Sequence, residues 1–170
     1  MTVLVKWESP QFSWLKCNIG VHWKKDIALG GAAWVLRDSR GKVLLHSRRV
    51  FIGLNDLKEL KVYVCFWAID SMVSHKVNML IFAFDDEMIV GAIVRPKAWP
   101  SFKATGAEFL IKLRKIEVWR CLKEEKGKNR SAFLIAQSVT ISRRFQSYVA
   151  AGYLFWLQDV FENEKCSAFP

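Results

Sequence analysis

The apolar and polar positions of this chain follow two periods, and the switch between them marks out the elements. Residues 14–23 (WLKCNIGVHW), 31–37 (GAAWVLR) and 42–50 (KVLLHSRRV) are short runs rich in β-branched and aromatic side chains, as strands are. Asp38-Ser39-Arg40-Gly41 joins the second run to the third, with Asp first and Gly last, the chemistry of a hairpin turn. The three runs predict an antiparallel meander. Residues 56–72 are too long for a strand and apolar on most faces, which predicts a buried helix capped by Asn55 or Asp56.

Further along, residues 77–84 (VNMLIFAF) form a continuous apolar run of strand length, expected of a central strand covered on both faces. Asp85-Asp86-Glu87 then opens a short helix to about residue 94, its acids at the positive end of the helix dipole. Pro96 and Pro100 punctuate the chain before a helix over 101–114 and a fifth strand over 116–122. A last long helix is expected from Asn129 to Val149, stopped by Gly152. The order β-β-β-α-β-α-(α)-β-α predicts an α/β fold with a five-stranded mixed sheet flanked by helices.

Composition supports one packed domain over 1–170, with its core at about 12–150. A chain of 170 residues that is 52% hydrophobic, with eight Trp and twelve Phe, can bury a real core. Neither the N-terminal run MTVLVKWESP, interrupted by Lys6 and Glu8, nor any other apolar segment reaches the roughly 20 residues of a membrane span. Cys17, Cys65, Cys121 and Cys166 are widely spaced, without a C-x-x-C pair, so reduced thiols and an intracellular protein, in cytoplasm or nucleus, are expected. The 26 Lys and Arg against 16 Asp and Glu leave a net charge of +10, which favours anionic partners, nucleic acid first.

Four segments carry a family resemblance. WESPxxxWLKCN (7–18), GAAWVLRDSRGKVLLHSRR (31–49), FWAIDSM (66–72) and RPxAWPSF (95–102) keep their order and together resemble plant ribonuclease H-like domains related to non-LTR retroelement polyproteins. The likeness extends over about residues 7–160. It implies RNA–DNA hybrid cleavage by four carboxylates converging on two Mg²⁺ ions about 3.5–4 Å apart.

Carried over position by position, the first carboxylate ends the first strand in a context like KCNVDGAW, and KCNIGVHW has Gly20 there. The second lies in the first helix, seven residues before the Ala of WAI, where Lys61 stands. The third follows the central strand at Asp85, or at Asp86 if the register slips by one. The fourth opens the last helix in a context like ANRxADxLA, and KNRSAFLIA puts Phe133 in its place. The resemblance therefore implies a degenerate centre with Asp85 as sole carboxylate, no metal held, and Lys61 paired with Asp85. Glu59 lies about 200° around the helix from Lys61 and does not substitute.

Plainer roles stand beside these. Asp85, Asp86 and Glu87 suit a helix N-terminus as well as a site; His22, His46 and His75 lack ligand spacing; Cys17 and Cys65 lie in apolar contexts. Lys112, Arg114, Lys115, Lys128 and Arg130, with Arg143 and Arg144 inside the last helix, are candidates to hold backbone phosphates, or a solvated helix face. The expected function is weak nucleic-acid binding by a monomer, through hybrid or RNA phosphates. The alternatives are a protein-interaction scaffold, favoured if the basic residues are scattered, and residual hybrid cleavage.

Overall fold

The computed structural model describes residues 6–165 of the chain; Met1–Val5 and Cys166 lie outside them. Strands β1 (Leu15–Lys24), β2 (Leu29–Arg37) and β3 (Val43–Ile52) form the expected antiparallel meander. Helix α1 (Leu57–Ser74) follows, capped by Asp56, which accepts from the Glu59 amide while the Glu59 carboxylate accepts from the Asn55 amide. That reciprocal pair satisfies amides the first turn leaves without helical partners.

Strand β4 (Leu80–Phe84) is buried along its whole length, as a run without polar alternation requires, and lies parallel to β1. Helices α2 (Glu87–Val94) and α3 (Lys103–Leu113) lead to β5 (Trp119–Lys123), parallel to β4 at one edge. The expected α/β architecture is present, and the sheet order is β5-β4-β1-β2-β3, extended by one more strand.

That strand corrects the expected ending. The helix from the Asn129 region, α4 (Arg130–Ile141), stops eight residues short of Val149. Strand β6 (Tyr148–Ala151) then pairs antiparallel with β3, so the sheet has six strands, not five. Arg143 and Arg144 consequently lie in the turn after α4, not inside the helix. Arg143 takes a left-handed backbone, φ 53°, which turns the chain away from the helix axis. Gly152, at φ 71°, closes β6 instead of the helix. Helix α5 (Gln158–Glu164) ends the described chain.

The strands send alternate side chains to two cores. Cys17, Ile19, Ala32, Trp34 and Leu36 meet α1, α2 and α3 on one face. Ala33, Val35 and Val43 meet α4, α5 and the 3-10 turn before α5 on the other, through Ala132, Ile135, Ala136, Phe161 and Leu157. The α4 face is built for close approach. Ala132 and Ala136, one turn apart, lie over Gly20 and Gly31, and a β-carbon at Gly31 would be 2.1 Å from the Ala136 carbonyl oxygen.

Candidate functional site

The four positions carried over from the resemblance come from four elements: β1, the first turns of α1, the end of β4 and the first turn of α4. The fold gathers them in two pairs. Gly20 lies under α4, so close that a β-carbon there would be 2.3 Å from both the carbonyl carbon and oxygen of Ala132 and 2.6 Å from the Phe133 amide nitrogen. Asn129 fixes this approach by donating from Nδ2 to the Ile19 carbonyl at 2.6 Å. Phe133, half-buried, turns its ring edge toward His22 at 6.0 Å, and His22 Nδ1 is 2.6 Å from Thr140 Oγ1. Burial, then the charge of Lys24, holds the His22 imidazole below its ordinary pKa.

The second pair differs from expectation by one residue. Lys61 Nζ donates to Asp86 Oδ2 at 2.9 Å, not to Asp85. Asp86 is also the cap of α2, its Oδ1 accepting from the Ile89 amide at 3.0 Å. Burial opposes ionisation of Asp86, but the Ile89 amide and the Lys61 ammonium outweigh it and hold the carboxyl below its ordinary value. Asp85 follows β4 directly and is half-buried. Among the described residues no three or more His, Cys, Asp or Glu side chains converge where they could hold a metal ion.

A prediction follows from this pair. Its side chains are 21% and 17% exposed, between a surface pair and a buried one, so Lys61→Met should cost about 1–2 kcal/mol at neutral pH. A carboxyl whose folded pKa is lowered adds stability above its unfolded pKa and loses it as pH falls through the folded value. The gap between wild type and Lys61→Met should therefore close on acidification below the carboxylate range. Urea melts at several pH values check this; a gap independent of pH would place the loss in packing.

The basic candidates do not form one groove. Lys112 lies on α3 and is paired with Asp70 of α1 at 2.9 Å, while Arg114 and Lys115 are exposed beyond it. Lys128 binds Glu8 near the start of α4, where Arg130 is exposed. Arg143 and Arg144 are at the other end of that helix, about 18 Å away at 1.5 Å per residue. The two ends of α4 lie on one side of the sheet and α3 on the other.

Buried pairs escaped the sequence reading. Lys16 binds Glu124 in the interior, and Arg37 binds Glu164 at 3.1 Å. No spacing announces pairs more than a hundred residues apart. The aromatic residues beside Arg143 and Arg144 did leave a signal: residues 127–158 hold no acid, and Arg143-Arg144-Phe145, Tyr148 and Phe155-Trp156 interleave charge with rings.

The mixed sheet, its parallel β1–β4 pair and the helices on both faces define a ribonuclease H-like domain. The chain belongs to the Reverse transcriptase-like family, whose profile matches residues 18–139. Among solved structures it is similar to RNase H1 from the halophilic archaeon Halobacterium salinarum, at 12% identity and TM-score 0.66, covering 76% of this chain and 99% of that one. LC11-RNase H1, isolated from compost, aligns at 14% identity and TM-score 0.64 over 78% and 99% of the two chains. The same enzyme in complex with an RNA/DNA hybrid aligns at 16% identity and TM-score 0.57 over 69% and 90%. At these identities the likeness concerns the fold. A comparison with curated proteins found no match. No helix of the described residues is long and apolar enough to cross a membrane.

Proposed function

We propose that this chain is a non-cleaving ribonuclease H-like domain, related to plant retroelement ribonuclease H, that binds nucleic acid through backbone phosphates. The observation that carries the reading is the packing at Gly20. Where the resemblance calls for a metal-bridging aspartate, the α4 backbone leaves no room for a side chain. Mg²⁺ binds through oxygen, usually with one or two carboxylates among its ligands. Gly20, Lys61 and Phe133 supply none, and the Lys61 ammonium sits on the carboxylate beside Asp85. Such a donor set does not fit a two-ion centre.

The net charge of +10 and the acid-free stretch 127–158 support a polyanionic partner, recognised by duplex shape more than by sequence. LC11-RNase H1, the relative solved with an RNA/DNA hybrid, supports hybrid as the first ligand to test. Buried, unpaired Cys17 and Cys65 are in keeping with an intracellular protein. A second reading, a protein-interaction scaffold, is favoured by the dispersal of Lys112, Lys128 and Arg143 over separate surfaces. It is favoured too by a groove of about 480 Å³ between α1 and α3 whose lining includes Asp56, Glu59 and Glu108.

The test is a binding and cleavage assay on an RNA–DNA hybrid with Mg²⁺ or Mn²⁺. Binding that weakens with salt, without cleavage, is expected. Metal-dependent cleavage abolished by Asp85→Asn would overturn the non-cleaving reading. No binding at low salt would leave the scaffold.

A further inference from the structure

At the β6 edge of the sheet, two arginines lie over aromatic rings on neighbouring segments of the chain. The Arg144 guanidinium lies 5.3 Å from the Trp156 ring centroid. The Arg48 guanidinium lies 4.7 Å from that of Tyr148 and donates from Nε to the Gln146 carbonyl at 3.0 Å. These contacts link β3, the turn after α4, β6 and the short 3-10 turn Phe155–Leu157. Phe145 and Trp156 remain 44% and 43% exposed, and Phe155 beside Trp156 is 85% exposed, so aromatic surface is accessible at this edge. Exposed Arg143 stands beside them.

We infer that this surface, built by Arg48, Arg143, Arg144, Phe145, Tyr148 and Trp156, binds single-stranded nucleic acid, with bases stacked on the rings and phosphates on the arginines. The inference rests on the nucleic-acid reading above and narrows it to a ligand class and a face. Charge decides the occupant. The residues from 127 to 158 contribute cations and no acid, so an acidic polymer is favoured. The rings decide between polymers. A duplex hides its base faces, whereas an unpaired strand offers a planar π face at every nucleotide, and an arginine over an aromatic ring adds a cation–π contribution to such a platform. The surface is separate from the Lys61–Asp86 pair, which lies between α1 and α2 on the other side of the sheet.

Fluorescence anisotropy with a labelled twenty-nucleotide deoxythymidylate, across a salt series, tests the proposal beside an RNA–DNA hybrid. Phe145→Ala and Trp156→Ala should each weaken the single strand roughly tenfold with the salt slope unchanged. Arg143→Gly with Arg144→Gln should lower the slope by about 1.4, at about 0.7 per phosphate contact. Glycine keeps the left-handed turn at 143 without strain. Photocrosslinking of wild type should map to Phe145 or Trp156, a readout independent of how any variant folds.

Unchanged affinity in both ring variants, or crosslinks elsewhere, overturns the inference. If hybrid binds and the single strand does not, this surface fails while the phosphate-binding reading stands; if neither binds at low salt, both fall. Self-association lost in Trp156→Ala, without oligonucleotide binding, would assign the surface to a second copy of the chain.

Discussion

Gly20→Asp should unfold this protein or leave it barely folded, losing at least about 4 kcal/mol. Two costs add. A β-carbon at position 20 would lie 2.3 Å from the Ala132 carbonyl group, where backbone and not a flexible side chain is the obstacle, so α4 must move off the sheet. Overpacking of a core site typically costs about 1–3 kcal/mol, and more when backbone must shift. The new carboxylate would also enter an apolar buried layer that includes Ala33, Ala132 and Ala136. An unpaired buried charge is costly by itself, and the group then takes up a proton instead.

The same geometry bears on any attempt to rebuild a metal centre. Gly20→Asp, Lys61→Glu and Phe133→Asp together restore the acids that the resemblance calls for, but not the space between β1 and α4. Expression of the triple variant should give a protein with lowered or absent cooperative melting, and no hybrid cleavage. Circular dichroism melts of Gly20→Asp, with Gly20→Ala as the smaller step, check this. A melting temperature for Gly20→Asp within a few degrees of wild type would show that α4 yields easily and that the close packing at Gly20 is no barrier.

The extent to which these features can be read from sequence follows from how local their causes are. The meander was legible because alternation, the Asp38–Gly41 turn and strand length act within a few residues. Helix α1 was legible for the same reason: Asp56 and Glu59 form its cap three residues apart. The end of α4 was not. Nothing between Ile141 and Tyr148 is a glycine or proline, and the turn depends on Arg143 in a left-handed conformation that arginine seldom adopts. What stabilises the departure is distant: the open edge of β3, which offers Leu45–Arg48 as pairing partners for β6. The choice of Asp86 over Asp85 as partner of Lys61 was likewise beyond local reading, because either could cap a helix and only the end of β4 at Phe84 fixes which one does.

Of the candidate site, the resemblance proposes four positions, and their packing could not be read from sequence. Gly20 and Phe133 are more than a hundred residues apart in the chain, and the glycine's missing side chain reads as a lost ligand. In the folded chain it is also the condition for α4 to lie flat on β1 and β2, with Ala132 and Ala136 in register. The position that the resemblance assigns to a carboxylate is thus also the point where the helix–sheet contact is tightest on β1.

Arg37→Ala should have the second large effect, lowering stability by about 3–5 kcal/mol. Arg37 ends β2 and is fully buried. Its guanidinium donates from Nη1 to Glu164 of α5 and from Nη2 to the Ser131 hydroxyl of α4. It also lies between two rings, 4.4 Å from the Trp7 centroid and 4.8 Å from that of Phe161. One side chain thus ties the segment before β1, the start of α4 and the last helix to the sheet. Truncation leaves the Glu164 carboxylate buried without this partner and opens a cavity between Trp7 and Phe161, and both effects act in the same direction. Because Ser131 precedes Ala132, loosening this clasp should also relax the α4 contact over Gly20. Arg37→Ala should therefore make Gly20→Ala less costly than it is in wild type, a coupling that a double-mutant cycle measures by urea denaturation. Arg37→Met with Glu164→Gln, which keeps volume and removes both charges, should recover most of the loss. A cost for Arg37→Ala below about 1 kcal/mol would mean that α5 and the Trp7 segment are held by apolar packing alone, and strictly additive effects with Gly20→Ala would separate the clasp from the closure of α4 on the sheet.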